Sequence, residues 1–267
     1  RVNTVKASRE EVLKMLEEEG IQAEIGKLSP FAIEIQKGNV AYSNVFKEGY
    51  LSIQDESSML VAQALGVEEG EDILDTCAAP GGKTTHIAEL LHGTGSVTSL
   101  DLHKHKVKLI MEQANRLGLE NIETKALDAR KAPEEFEGRK FDRVLVDAPC
   151  SGLGVIRRKP DIILKKNATD VSNLQRVQKS ILDEASKLVK PGGTLVYSTC
   201  TVGHEENIDV VQSFLEEHYE YELDQSLRDY LPSMLKDSTT VQKGYIQLLP
   251  HYFGTDGFFI ARLRKKV

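Results

Sequence analysis

Apolar residues follow two different periods along this chain, and the switches between them predict where helices and strands lie. Over residues 1–52, a helical stripe at 12–16 is flanked by short alternating runs at 2–6, 21–25 and 31–36. Alternation with period two indicates half-buried strands, and a spacing of three to four indicates an amphipathic helix. The pattern therefore predicts a small α/β subdomain over residues 1–52.

From residue 53 to residue 267, short apolar runs alternate with helical stripes. The predicted strands end near residues 75, 100, 127, 146 and 197, and helices are predicted to begin near residues 54, 84, 107 and 172. This alternation predicts an α/β fold with a doubly wound, mostly parallel sheet and right-handed crossovers. Two final runs, 245–249 and 258–263, are close enough in sequence to form an antiparallel pair at an edge of that sheet.

The first strand of this sheet leads into a turn of small residues, CAAPGG at 77–82, and into a helix that begins near Thr84. Small residues let a ligand approach the backbone closely, and a helix N-terminus offers unpaired N–H groups. The turn is not a P-loop, because that motif needs a glycine five residues before Gly82, where Cys77 stands; the fingerprint G-x-G-x-x-G is absent too. A ligand-binding corner of a parallel sheet and a plain tight turn both fit this stretch.

Four of the five predicted parallel strands end in an aspartate: Asp75, Asp101, Asp128 and Asp147. A single aspartate at this position usually caps the next helix. Four of them at one rim predict a polar cleft at the carboxyl edge of the sheet, where such folds bind ligands. Asp101 lies at a distance after the glycine turn that suits hydrogen bonds to ribose hydroxyls.

Each of the three cysteines directly follows a predicted strand: Cys77 the first, Cys150 the fourth and Cys200 the fifth. If these strands are neighbours, all three thiols face one cleft. Cysteine is also a common small buried residue, and an odd number of cysteines without a secretory signal favours free thiols in a reducing compartment. The spacings lack the paired ligands of a zinc site, so no metal is expected.

Three segments resemble the signature motifs of the RNA cytosine-5 methyltransferases of the Nol1/Nop2/Sun family: DTCAAPGGKT at 75–84, DAPCSGLG at 147–154 and YSTCT at 197–201. The opening RVNT and the ending TDGFFIARLRK are similar to the bacterial members that methylate 16S ribosomal RNA. The resemblance implies a Rossmann-like methyltransferase domain over residues 53–267, S-adenosyl-L-methionine as the cofactor, and RNA, in particular 16S ribosomal RNA, as the substrate. Those bacterial members carry a helical RNA-binding domain upstream, so this chain is expected to be their catalytic part.

The same resemblance implies roles for individual residues. Cys200 is expected to attack C6 of the cytosine and Cys150 to serve in release, with Asp147 between the cofactor and the base. Asp101 is expected to bind the ribose of the cofactor, and Asp128 the edge of its adenine. The residues expected to enclose the methionine part of the cofactor are Cys77, Ala78, Ala79, Pro80, Gly81, Gly82 and Lys83. Two roles stay open for Lys83, a cofactor contact or a charge near the base.

Composition sets the expectations about location. The chain has 267 residues, of which 40% are hydrophobic and 28% charged, as in an ordinary globular protein. No apolar run approaches the ~20 residues of a membrane-spanning helix, and no signal-peptide pattern opens the chain. We therefore expect a cytoplasmic protein, a monomer, without membrane contact.

Charge gives no global signal for nucleic acid, because the formal net charge is −7. Positive charge is local, in clusters at 157–159, 165–166 and 262–266. Such clusters are usually solvated surface, and only their position can make them phosphate contacts. Arg157, Arg158 and Lys159 directly follow the second cysteine motif and are expected to bind RNA, together with residues 1–52.

Two other classes of function are considered beside an RNA methyltransferase. A catalytically silent RNA-binding scaffold of the same fold is disfavoured because both Cys150 and Cys200 are present. A nicotinamide-dependent oxidoreductase is disfavoured because the dinucleotide fingerprint is missing. A DNA substrate would use the same C5 chemistry, but the order of the motifs favours RNA.

Overall fold

The computed structural model describes residues 1–165 and 167–267; Lys166, half of the basic pair at 165–166, lies outside the described residues. The helices are α1 Arg9–Glu18, α2 Asn44–Lys47, α3 Glu56–Leu65, α4 Gly82–Leu90, α5 Lys104–Leu117, α6 Ala132–Glu135, α7 Ile162–Lys165, α8 Ala168–Ser186, α9 Ile208–Glu217, α10 Leu227–Tyr230, α11 Thr239–Lys243 and α12 Pro250–Phe253. The strands are β1 Gln22–Ile25, β2 Ile33–Lys37, β3 Asp72–Asp75, β4 Ser96–Asp101, β5 Ile122–Ala126, β6 Phe141–Asp147, β7 Val189–Thr199, β8 Tyr221–Leu223, β9 Tyr245–Leu248 and β10 Phe258–Lys265.

The N-terminal part of the chain has a hydrophobic core of its own beneath α1 and the antiparallel pair β1–β2. Helix α1 begins in a capping box, in which the Ser8 hydroxyl accepts the N–H of Glu11 and the Glu11 carboxylate accepts that of Ser8. Its buried face carries Val12 and Leu16. The apolar stripe that predicted this helix is therefore the face that packs into the N-terminal core.

The strand predicted at residues 2–6 is wrong. Only Val2 makes a bridge, to Leu51, and the chain then turns. The turn is built by Asn3, whose side-chain oxygen accepts the N–H of Val5 at 3.2 Å while its carbonyl accepts the N–H of Lys6 at 3.0 Å. Short polar side chains compete with strand pairing in this way.

The main sheet has eight strands in the order β5-β4-β3-β6-β7-β10-β8, with β9 also paired to β10. Strands β5, β4, β3, β6 and β7 are parallel, as the alternation of strands and helices predicts. Strand β10 runs antiparallel to β7 and to β9. The predicted pairing of the last two apolar runs is therefore confirmed, although β10 lies inside the sheet rather than at its edge.

Helices cover both faces of the parallel part of the sheet. Helices α3, α4 and α5 contribute to the core on one face, and α8 and α9 to the core on the other. Ile73 and Leu74, neighbours in β3, point into opposite cores because side chains alternate along a strand. Among the residues described, no helix is both long and apolar enough to cross a membrane.

Candidate active site

A cleft of about 380 Å³ lies at the carboxyl ends of the parallel strands. The order β4-β3-β6-β7 makes the strands that precede the three cysteines immediate neighbours, so all three thiols line it. Its lining includes Cys77, Ala79, Asp101, His103, Lys106, Asp128, Asp147, Cys150 and Cys200. The prediction that the three thiols share one cleft is confirmed.

The loop from Cys77 to Lys83 joins β3 to α4 and forms one wall of this cleft. Cys77 and Ala79 line the cleft, whereas Ala78 is buried, with its N–H bonded to the carbonyl of Leu100 at 2.8 Å. Burial raises the pKa of the Cys77 thiol far above its ordinary value. Cys77 therefore lines the cleft as a neutral thiol.

Gly81, in the middle of this loop, caps α4 with a φ of 109°, a conformation that side chains rarely adopt. A Cβ on Gly81 would lie 3.1 Å from the Cα of Ile110 in α5. The glycine is thus required by its backbone angle and by the close approach of α5. At Gly82 the nearest atom to a Cβ is 3.8 Å away, and no such constraint applies. Pro80, which precedes Gly81 in the same loop, is exposed and follows a cis peptide bond.

Three of the four strand-end aspartates line the cleft: Asp101, Asp128 and Asp147. Asp101 accepts the N–H of His103 at 3.1 Å, and Asp128 is paired with Arg130 at 2.7 Å. That pairing, with hydrogen bonds from Arg130, lowers the pKa of Asp128. Asp128 therefore faces the cleft as an anion at neutral pH.

The fourth aspartate, Asp75, does not lie on the rim, so the prediction of four carboxylates there is wrong by one. Its side chain is fully buried beneath the loop, where Oδ2 accepts the Thr84 hydroxyl at 2.6 Å. Burial is the main cause that raises its pKa to about 7. Asp75 fastens α4 to the end of β3 instead of facing the cleft.

Two of the thiols form a close pair: the sulfur atoms of Cys150 and Cys200 are 3.2 Å apart. The hydrogen bond from Cys150 lowers the pKa of Cys200, whereas burial and the negative charge of Asp147 raise it; the positive charge of Lys83 lowers it, and the overall shift is downward. The same hydrogen bond, together with burial, raises the pKa of Cys150 well above its ordinary value. Of the two, Cys200 therefore ionises more readily, and Cys150 holds its proton more tightly.

An ion pair adjoins these thiols, since Lys83 Nζ lies 2.7 Å from Asp147 Oδ2. The other oxygen of Asp147 accepts the Ser198 hydroxyl at 2.8 Å. Burial lowers the pKa of Lys83, but the Asp147 carboxylate outweighs it, and the pKa is raised overall. Lys83 Nζ also lies 5.1 Å from the centre of the Phe258 ring. Lys83 thus stays charged and lies between the Asp147 carboxylate and the Phe258 ring.

The basic residues after the second cysteine motif differ from one another. Arg158 is engaged in an ion pair with the buried Asp256, with Nε 3.0 Å from Oδ1. Arg157 donates to the carbonyl of Gly254 at 2.5 Å and remains exposed, and Lys159 is exposed as well. Arg157 and Lys159 therefore present the more available charges of the three.

Sequence reasoning missed a buried polar group behind the thiol pair. Ser151 and Gln178 both donate to the carboxylate of Glu206, which is fully buried. No motif marks Glu206, which stands in a run of polar residues after Thr201. The only available signal was that Ser151 belongs to the second cysteine motif.

The sheet, the small-residue loop at its carboxyl edge and the carboxylates on the two following strands define a Rossmann-like methyltransferase fold. A family profile described as "16S rRNA methyltransferase RsmB/F" matches residues 62–264. A second, described as the ferredoxin-like domain of RsmF/B-like methyltransferases, matches residues 1–41. The chain belongs to this RsmB/F family.

Individual relatives agree with this assignment. The chain is 56% identical over 266 residues to the probable ribosomal RNA small subunit methyltransferase B of Bacillus subtilis, and 38% identical over 267 residues to the ribosomal RNA small subunit methyltransferase B of Proteus mirabilis. All of this chain is covered in both, but only 59% and 58% of the relatives. The crystal structure of NSun6 from Pyrococcus horikoshii with SFG superimposes with a TM-score of 0.86, at 27% identity, over 99% of this chain and 89% of that one.

Proposed function

We propose that the chain transfers a methyl group from S-adenosyl-L-methionine to C5 of a cytosine in RNA, 16S ribosomal RNA in particular, through a covalent bond between Cys200 and C6. The observation that carries this proposal is the thiol pair, 3.2 Å apart, whose pKa values are displaced in opposite directions. Two thiols in one cleft with different protonation states suit a reaction that needs one nucleophile and one proton-bearing partner.

The cofactor end of the cleft has the chemistry that a nucleoside ligand requires. Its size lies within the range of small-molecule sites, about 300–1,000 Å³. Asp101 and Asp128 present carboxylates that suit ribose hydroxyls and an adenine amino group, and Cys77 and Ala79 present small side chains. When bound, S-adenosyl-L-methionine supplies an electrophilic methyl group. The family, together with the similarity to NSun6 in its crystal structure with SFG, supports a cofactor of this type.

The attack on the base falls to Cys200. C5 of cytosine is a poor nucleophile, and addition of a thiolate to C6 makes C5 enamine-like, which divides one difficult step into easier ones. The hydrogen bond from Cys150 and the positive charge of Lys83 both favour the thiolate form of Cys200, which is the form that attacks. We assign the Asp147–Lys83 ion pair to hydrogen-bonding the ring and stabilising the charge of the adduct.

Release requires two bonds to break. After C5 has gained the methyl group, it must lose its proton, and the bond between C6 and the sulfur of Cys200 must then open and return that sulfur to a thiolate. We assign Cys150 to this release. The pKa of Cys150 is raised chiefly by its hydrogen bond to Cys200, together with burial and the charge of Cys200. Once Cys200 is alkylated, that hydrogen-bond acceptor and its charge are gone, so Cys150 can lose its own proton to solvent. Its thiolate then takes the proton from C5, and the electron pair of that C–H bond expels the sulfur of Cys200 as a thiolate.

RNA binding is assigned to two parts of the surface. Arg157 and Lys159 lie on the loop that follows Cys150, and Arg158 joins them through its exposed side. Residues 1–52 are proposed to contribute a second RNA contact, and residues 1–41 match a ferredoxin-like domain of the same family. The target cytosine must leave its stack, or lie in a single-stranded loop, to reach the thiols.

The direct test is nucleoside analysis of RNA after incubation with this chain and labelled S-adenosyl-L-methionine. We expect label in 5-methylcytidine when 16S ribosomal RNA, free or in the small subunit, is the substrate. DNA of the same sequence serves as the matched control and is expected to gain no label. Label on a base nitrogen or on a ribose, or no transfer to any RNA, would contradict the proposal.

A further inference from the structure

The segments that carry Cys150 and Cys200 meet around the buried carboxylate of Glu206. Its Oε1 accepts the N–H of Ser151 at 2.8 Å and the side-chain N–H of Gln178 at 3.1 Å. Its Oε2 accepts the hydroxyl of Ser151 at 2.6 Å. No ion pair within residues 1–165 and 167–267 includes Glu206, so neutral donors alone offset the cost of burying it.

The hydrogen bonds continue from this carboxylate to both cysteine segments. Ser151 follows Cys150 and Thr201 follows Cys200, and their hydroxyl oxygens are 2.9 Å apart. A hydroxyl has one proton, and Ser151 gives its proton to Glu206, so Thr201 must donate to Ser151. The order Thr201 to Ser151 to Glu206 is therefore fixed.

Further bonds hold the same group from outside. The side-chain nitrogen of Gln178 also donates to the carbonyl of Pro149, so α8 fastens the residue before Cys150 as well. The backbone carbonyl of Glu206 accepts the hydroxyl of the buried Tyr197 at 2.6 Å. Glu206 thus has little freedom to move.

We propose that Glu206 is a positioning residue that sets the separation of the Cys150 and Cys200 sulfurs by holding Ser151 and Thr201 together. A carboxylate suits this place because it only accepts, and both of its oxygens meet donors. A fully satisfied buried network makes one local arrangement much more favourable than others. That the separation matters for catalysis rests on the proposed function; the positioning itself does not.

Phenylarsine oxide measures this separation without RNA or cofactor. Its arsenic exchanges one oxygen for two sulfurs and releases water, which requires two thiols close together. The bridged pair is identified by mass after digestion, because Cys77 lines the same cleft. The affinity is compared with the kcat and the KM for RNA of methyl transfer.

Four variants of this chain form the test. Ser151→Ala and Thr201→Val each remove the hydroxyl link with little change of shape, and each is expected to weaken the arsenical by about tenfold. The double variant should lose no more than the larger single one, because both changes break the same link. Glu206→Ala should weaken arsenical binding further. Glu206→Gln should bind the arsenical almost as tightly as the unaltered chain does, because its amide can donate to Ser151 while Ser151 donates to Thr201.

The matched control is Tyr221→Phe, which removes a buried hydrogen bond to the carbonyl of Ser186 without touching either cysteine segment. Support requires that Ser151→Ala and Thr201→Val lower the arsenical affinity and kcat, with the KM for RNA unchanged, while the control moves neither. If the unaltered chain transfers no methyl group but Ser151→Ala and Thr201→Val still weaken the arsenical, the proposed function is refuted and the positioning role of Glu206 is supported. Arsenical affinities equal to that of the control, or additive losses in the double variant, would overturn the inference.

Discussion

The two ends of the cleft are built in different ways. At the cofactor end, one continuous loop, 77–83, and carboxylates at the ends of two neighbouring strands supply the site. At the thiol end, Cys150 and Cys200 lie on two segments that are 50 residues apart and are joined by Glu206 and Gln178. The first end depends on local backbone geometry, and the second on long-range hydrogen bonds.

Each end also has one fully buried carboxyl group, and the two accept different numbers of hydrogen bonds. Asp75, beneath the cofactor loop, accepts one hydroxyl and leaves Oδ1 without a well-formed hydrogen bond among the described residues. Glu206, behind the thiols, accepts three donors. A buried carboxyl with few partners holds its proton, whereas one with several donors can remain an anion. The two buried carboxyl groups of this protein therefore differ in how many hydrogen bonds offset their burial.

The largest expected effect comes from Asp75→Asn. The folded-state pKa of Asp75, about 7, exceeds its ordinary 3.8, so the folded protein holds this proton more tightly than the unfolded chain does. The group therefore costs no stability below about pH 4, and its cost grows as the pH rises from there toward 7. Above pH 7 the cost approaches about 4 kcal/mol, which Asn avoids.

The measurement is the free energy of unfolding in urea between pH 4 and pH 8 for the unaltered chain and for Asp75→Asn. The variant should gain stability relative to the unaltered chain as the pH rises. Glu206→Gln is the matched comparison at the thiol end and should show no such gain. A constant difference across this range would mean that Asp75 is ionised throughout.

Lys83→Met tests the electrostatics of the thiol end. Loss of the positive charge should raise the pKa of Cys200 and leave the Asp147 carboxylate without its cationic partner. The pH dependence of Cys200 alkylation by iodoacetamide, followed by peptide mass analysis, should shift to higher pH, and kcat should fall by about 100-fold. Lys106→Met, at the cofactor end of the same cleft, should leave the alkylation profile in place. If Lys83→Met and Lys106→Met gave the same pH dependence of Cys200 alkylation, Lys83 would have no part in lowering the pKa of Cys200.

Gly81→Ala tests the backbone geometry of the cofactor end. The new Cβ would require a strained φ of 109° and approach Ile110 to 3.1 Å, so we expect a loss of about 2 kcal/mol in stability together with weaker cofactor binding. Gly82→Ala is the matched control in the same loop and should change stability little. Thermal unfolding and calorimetric titration with S-adenosyl-L-methionine check both. Equal stability of the two variants would refute the packing argument.

The smallest effect is expected outside both ends of the cleft, for Arg157→Ala combined with Lys159→Ala. Loss of two phosphate contacts should reduce the slope of log affinity for RNA against log salt by about 1.4. Arg158→Ala should instead lower stability, because it leaves the buried Asp256 without its partner. An unchanged salt slope in the first variant would show that these two charges are solvated surface.

The cofactor end depends on local geometry and the thiol end on long-range hydrogen bonds, and this difference decides how much of each end the sequence can predict. The cofactor loop could be found because strand, turn and helix are contiguous, and the convergence of the thiols could be found because the strand order is that of a common fold. Glu206 could not be found, because its meaning depends on Ser151, 55 residues earlier. Likewise, nothing local reveals that Arg158 is paired with Asp256, or that Asn3 turns the chain where an apolar run predicts a strand.

The central claim is that Cys200 bonds to the base and Cys150 releases it, and denaturing gels of the enzyme with RNA and S-adenosyl-L-methionine test it most directly. Cys150→Ala should still attack and methylate, then stall with RNA attached through Cys200. Cys200→Ala, and the variant lacking both thiols, should show no attached RNA, because no attacking thiolate remains. Attached RNA in Cys200→Ala and none in Cys150→Ala would contradict the account, since the roles of the two cysteines would be reversed.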